Sequence, residues 1–171
     1  MVPVNHVVIL SVLGVAVLTD VKTGKIKNWL TLPAIALGPV VCTLAAGGHG
    51  AVLSMQAIGL MALVGMVVFS FRILGGGDLK LLVAVGALGA VPDGLVFVRN
   101  TLMFTALAGG VLALVVLMWQ RRAAAAASQL ARAAWLKMTL RVNCLAGIGR
   151  TKIPYSLAIA TGTIVAIVWP L

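Results

Sequence analysis

Three acidic side chains, Asp20, Asp78 and Asp93, are the only carboxylates on the side chains of this protein, which has no glutamate. Asp78 follows three consecutive glycines between two apolar segments, and Asp20 follows the first apolar segment. A carboxylate at the end of a membrane segment is costly to keep and therefore indicates a functional site. A simpler interpretation is that Asp78 caps a helix beginning at Leu79. Asp93 belongs to a Pro-Asp-Gly turn, which explains it without a site.

Asp20 and Asp78 could perform acid–base chemistry if the fold brings them together. Two neighbouring carboxylates cannot both ionise cheaply, so the pair shares a proton near neutral pH. The ionised member can activate a water while the protonated member hydrogen-bonds a scissile carbonyl, as in an aspartic protease. This chemistry needs no metal and no cofactor, and two aspartates alone make a poor metal site. The sequence leaves open whether the two carboxylates meet.

The composition is that of a membrane protein. Hydrophobic residues make up 62% of the 171 residues and charged residues 9%, whereas a soluble domain has about 25% charged residues. The length predicts a single domain, residues 1–171. The net charge of +10 does not indicate nucleic acid, because the basic residues fall between apolar segments. They are better explained by topology and by contact with anionic lipid.

Six apolar segments predict an all-α, polytopic protein with six transmembrane helices. They cover residues 4–19, 29–46, 51–71, 79–91, 101–119 and 153–169. The fourth segment would rise about 20 Å, which is short of the roughly 30 Å hydrocarbon core. We therefore expect the glycine turn before it to line a cavity inside the protein. Residues 120–152 are predicted to form a weakly amphipathic helix on the cytoplasmic membrane surface, with a solvated loop as the alternative.

The basic residues predict the orientation. Of the 13 Lys and Arg side chains, only Arg99 falls in a connection on one side of the membrane, and all the others fall on the opposite side. The positive-inside rule then places both termini outside and the basic connections in the cytoplasm. Asp20 and Asp78 are thereby expected at the same cytoplasmic level.

The glycine turn resembles a known signature. The sequence Gly-Gly-Gly-Asp-Leu-Lys-Leu at residues 75–81 is similar to the G-x-G-D-x-K-L motif of type IV prepilin peptidases, which are bacterial intramembrane aspartic peptidases. Their other aspartate begins a D-x-x-x-x-x-I-P-N pattern, which Asp20, Ile26 and Asn28 match and from which Lys27 departs. Residues 153–162 resemble the family's I-P-Y-G-P stretch, with Leu157 in place of the second proline.

The resemblance implies an enzyme of the bacterial cytoplasmic (inner) membrane that cleaves the leader of prepilin or pseudopilin substrates at the cytoplasmic face. Asp20 and Asp78 would be its catalytic residues. Gly75 and Gly77 would shape the site by backbone clearance, and Asn28 belongs to the matched pattern. Lys80 is either a cytoplasmic anchor or a group that tunes Asp78 or contacts the peptide. The expected form is the small, peptidase-only one of Flp-type, tight-adherence pilus systems, without an N-methyltransferase domain.

Other functions stay open at this stage. A preflagellin-type G-x-G-D protease would share the motif, and a proton-coupled transporter or channel could use the same aspartates as a relay. A non-catalytic scaffold would need them only as helix caps. The sequence does not indicate which aspartate is the base, the exact substrate or the oligomeric state.

Overall fold

A computed structural model describes residues 4–71, 74–92, 94–119 and 155–169, and within these ranges all regular structure is helical. The helices are α1 (Val4–Thr23), α2 (Asn28–Ser70), α3 (Gly76–Gly89), α4 (Gly94–Trp119) and α5 (Tyr155–Val168). α1, α2 and α4 are long and apolar enough to cross a membrane, and α5 is a shorter apolar helix. The predicted all-α class is confirmed for these ranges. The six spans and the orientation of the termini stay predictions, and the predicted surface helix at 120–152 lies outside the described residues.

The chain divides into two compact units. Residues 1–109 and 154–171 form the first, which contains α1, α2, α3, α5 and α4 as far as Gly109. Residues 110–153 form the second, of which the structure describes the end of α4, residues 110–119. The assignment of residues 1–171 to a single domain stays a prediction.

α2 consists of two arms that meet at a break. Ala46 has φ −139° and ψ 22°, and Gly47 has φ 63° and ψ −153°, so the helix is interrupted between them. Glycine adopts a positive φ without the penalty that a Cβ would impose. Just beyond the break, the Cα of Gly50 lies against the carbonyl of Cys42, where no side chain would fit. The break separates the apolar segments 29–46 and 51–71 that the sequence distinguishes.

α3 is the central helix of the first unit. Every residue from Leu81 to Ala90 is buried, and α1, both arms of α2, and α5 contact α3. Small residues allow the close approach: Gly38 of the first arm lies against Ala87, and Gly86 lies against Met61 of the second arm. With 14 residues, α3 rises about 21 Å, less than the thickness of the hydrocarbon core.

Side chains of α2 hold the far end of α3. The last carbonyls of a helix have no partner within it and need one from elsewhere when they are buried. The Ser54 hydroxyl donates to the Ala87 carbonyl at 2.8 Å. The Cys42 thiol donates to the same oxygen at 3.4 Å, and a thiol is a weaker donor than a hydroxyl. One donor comes from each arm, so both arms fix the position of α3 along its axis.

Candidate active site

The connection between α1 and α2 meets the start of α3 around a cavity of about 330 Å³. Its lining consists of Asp20, Gly24, Lys25, Ile26, Gly75, Gly76, Gly77 and Asp78. The structure therefore brings Asp20 and Asp78, which come from two different helices, to one cavity. Both carboxylates are partly exposed to it.

Asp20 lies in the last turn of α1. The sequence predicts the end of the first helix at Thr19, but α1 continues to Thr23, whose hydroxyl donates back to the Thr19 carbonyl at 2.7 Å. Gly24 ends the helix with φ 62°, and its N–H donates to the Asp20 carbonyl at 2.6 Å. A glycine in the left-handed region is a common helix C-terminus. This helix end directs the Asp20 side chain toward the cavity.

Ser156 holds the Asp20 carboxylate from a third helix. Its hydroxyl, in the first turn of α5, donates to Oδ2 of Asp20 at 2.5 Å. Ser156 is fully buried. Its contact with Asp20 is not indicated by the sequence, in which Ser156 stands within the I-P-Y-like stretch.

Asp78 lies in the first turn of α3, which begins at Gly76 rather than at the predicted Leu79. Its Oδ2 accepts the N–H of Gly75 at 3.2 Å, which satisfies one of the free donors at the helix start. Asp78 therefore caps the start of α3, as the simpler interpretation proposes. Its carboxylate also faces the cavity. Capping and chemistry are compatible for this side chain.

Burial and charge both act on Asp78, which lies outside the three helices that are long enough to cross a membrane. Removal from water disfavours the ionised form, and the negative charge of Asp20 adds to this effect. Together they raise the pKa of Asp78 from 3.8 to about 6, although the hydrogen bond from Gly75 acts in the opposite direction. Asp78 thus keeps its proton to a higher pH than an ordinary aspartate does.

The glycines beside Asp78 leave room for other atoms. A Cβ at Gly75 would stand 2.9 Å from Oδ2 of Asp78, and one at Gly77 would stand 3.1 Å from the Cβ of Ile26. At Gly76 the nearest atom would be Cε2 of Phe69, at 3.9 Å. Gly75 and Gly77, but not Gly76, therefore lie where a side chain would displace the wall of the cavity.

Lys80 and Asn28 contact each other. The Lys80 ammonium donates to Oδ1 of Asn28 at 2.9 Å. Neither residue belongs to the lining of the cavity. Lys25, which was not predicted as a site residue, does belong to it. The Lys80–Asn28 bond joins the start of α3 to the start of α2.

Asp20 and Asp78 are the two carboxylates among the residues that line the cavity, and Lys25 is the one basic residue in that lining. Among the described residues, no three His, Cys, Asp or Glu side chains are grouped as metal ligands would be. The arrangement suits general acid and base catalysis by two carboxylates of unequal proton affinity.

The sequence profile described as the type IV leader peptidase family matches residues 7–118. This range covers more than half of the chain and includes Asp20, the glycine turn and Asp78. Comparison with curated proteins and with solved structures gives no match.

Proposed function

The chain belongs to the type IV leader peptidase family, and we propose that it is an aspartic endopeptidase that removes the leader of prepilin-like proteins. The observation that carries the proposal is that Asp20 and Asp78 line one cavity, within the range that matches the family. The cavity would open at the cytoplasmic face of the bacterial inner membrane, in keeping with the distribution of Lys and Arg. Small pilins of the Flp type are the proposed substrates, because the chain resembles the small peptidases of tight-adherence pilus systems.

The reaction needs one ionised and one protonated aspartate. The ionised carboxylate takes a proton from a water molecule while the water oxygen bonds to the scissile carbonyl carbon. The carbonyl oxygen takes the proton of the other aspartate. In the resulting diol, the C–N bond breaks as the nitrogen takes the proton that came from water. One diol hydroxyl returns its proton to the second aspartate and becomes the new carbonyl. The pair ends in its starting state, so a single shared proton supports repeated turnover.

The shape of the cavity supports an extended substrate. Its volume of about 330 Å³ is at the lower end of the range for ligand sites, and a helix with its side chains is about 10 Å wide. Four glycines in the wall, Gly24 and Gly75 to Gly77, leave space for the main chain of a peptide to approach. We therefore propose that the leader is bound as an extended segment of a few residues.

The proposal is tested by co-expressing the protein with a small pilin and following loss of the leader by mass spectrometry of the membranes. Asp20→Asn and Asp78→Asn should each reduce cleavage by about 10²-fold or more. Asp93→Asn is the matched control, since it removes the third acidic side chain, and it should cleave at the wild-type rate. Normal cleavage by either of the first two variants would contradict the proposal. Proton flux in proteoliposomes that both variants abolish, without any cleavage by the wild type, would instead favour a relay.

A further inference from the structure

Ser156 differs from the other hydroxyls of its helix. Thr161 and Thr163 donate to backbone carbonyls of α5 itself, at 2.9 Å and 2.7 Å. Ser156 instead reaches another helix and donates to the Asp20 carboxylate, although 136 residues separate the two in sequence. A fully buried hydroxyl directed at a carboxylate in a candidate active site indicates a role in positioning that carboxylate.

The contact holds the Asp20 carboxylate in one orientation. The Ser156 hydroxyl oxygen and Oδ2 of Asp20 are 2.5 Å apart, which is at the short end of the range for O–H···O bonds. Asp78 has a longer bond, 3.2 Å from the Gly75 N–H. Asp20 is therefore the carboxylate that a side chain of another helix holds in place.

We propose that Ser156 is a positioning residue that holds the Asp20 carboxylate in place as the base, with Asp78 as the acid. In the reaction, Asp20 then takes the proton from the attacking water, and Asp78 gives its proton to the carbonyl oxygen. The inference rests on the proposed peptidase function and assigns the two roles that this function requires.

Two other titratable residues line the cavity together with Asp20. Asp78 lies across it on α3, and its raised pKa suits the carboxyl group that has to supply a proton. Lys25, from the α1–α2 connection, is the other. Tyr155 precedes Ser156 on α5, and Lys80 is engaged by Asn28 outside the cavity lining. None of the described residues of α2 lines the cavity.

The test measures kcat and KM separately for leader cleavage by the purified full chain in detergent, using Ser156→Ala. Without the donor the Asp20 carboxylate is no longer held in place, so kcat at neutral pH should fall about tenfold. KM should change little, because Ser156 does not belong to the lining of the cavity.

Three variants control the measurement. Ser156→Thr keeps a hydroxyl and should restore the wild-type kcat, and Ser156→Cys, a weaker donor, should give an intermediate kcat. Thr161→Ala removes a hydroxyl of α5 that touches no carboxylate and should leave kcat unchanged. A wild-type kcat in Ser156→Ala, while Asp20→Asn and Asp78→Asn stop cleavage, would overturn the role of Ser156 alone. Cleavage that survives in the two Asn variants would instead overturn the peptidase proposal.

Discussion

Ile26 lies directly against the Cα of Gly77, so that a Cβ on residue 77 would stand only 3.1 Å from the Cβ of Ile26. Ile26 belongs to the connection that follows Asp20, and Gly77 immediately precedes Asp78. The two segments that supply the carboxylates are therefore in contact through a position that only glycine fits without displacing its neighbour. The spacing of the two aspartates depends on this contact.

Gly77→Ala should lower kcat/KM for leader cleavage by about tenfold, because the added methyl displaces Ile26 and with it the carboxylates, and small errors in position are costly in catalysis. Cleavage of a pilin peptide measures the loss. Gly14→Ala, in α1 and outside the cavity lining, is the control, since an added methyl would meet nothing within 4 Å, and it should cleave normally. Equal activity of the two variants would show that the contact with Ile26 does not matter.

The bond between Lys80 and Asn28 should make substitutions of the two residues non-additive. Lys80→Met and Asn28→Ala each remove the same hydrogen bond, so the double variant should lose about 0.5–1.5 kcal/mol less stability than the two single changes combined. Chemical unfolding in detergent micelles measures all four proteins. Changes in unfolding free energy that add to within about 0.3 kcal/mol would mean that the bond contributes nothing.

The titration of Asp78 should be visible by infrared spectroscopy, because the chain has only three acidic side chains. A protonated carboxyl band should persist until the pH rises through about 6, and Asp78→Asn should lack that band. Because the folded pKa is raised above 3.8, the contribution of Asp78 to stability is fully present below pH 3.8 and is lost as the pH rises through about 6.

In Asp20→Asn the same band should titrate at a lower pH than in the wild type, since the nearby negative charge is gone. It should still titrate above the ordinary value, because burial is the larger cause of the shift. A band with an unchanged midpoint in Asp20→Asn would show that the two carboxylates do not interact. A band that remains in Asp78→Asn would belong to another group.

The packing of α2 on α3 should be sensitive to size at Gly38. A Cβ there would meet backbone atoms of Ala87 at 2.8–2.9 Å, so Gly38→Ala should destabilise the protein by about 1–3 kcal/mol. Gly59→Ala, on the other arm of α2 with no atom within 4 Å of the new Cβ, should be neutral or slightly stabilising. Thermal unfolding in detergent compares them, and a stable Gly38→Ala would contradict this packing.

The sequence indicates that Asp20 and Asp78 could meet, because each stands at the end of an apolar segment, and both line one cavity. Their cytoplasmic level stays a prediction. The break at Gly47 could be anticipated from the glycine-rich sequence Gly-Gly-His-Gly at residues 47–50. The start of α3 was predicted three residues too late, since glycine has low helix propensity, whereas in the fold the Asp78 carboxylate and the close approach of Ile26 stabilise Gly76 and Gly77 as helix. Propensity is often overridden by such tertiary contacts.

The role of Ser156 could not be predicted from local sequence. A serine in the first turn of an apolar helix usually bonds to its own backbone, and nothing near residue 156 indicates that α5 passes beside the end of α1. Likewise, the sequence alone is consistent with Lys80 as a membrane anchor, whereas the structure shows that it contacts Asn28 at the start of α2. Both contacts depend on the order in which helices pack, and no periodicity within one helix encodes that order.

Ser54 and Cys42 donate hydrogen bonds to the Ala87 carbonyl near the end of α3. These bonds affect the candidate active site, which lies at the opposite end of the same helix. With that end tethered, one residue inserted between Asp78 and Ala87 would turn everything before it by about 100° and swing the aspartate out of the cavity. A deletion would turn it the other way. The length of α3 thus sets both the position of Asp78 along the helix axis and the direction in which its side chain points. Variants with a longer or shorter α3 should lose function even where every side chain in the cavity is kept.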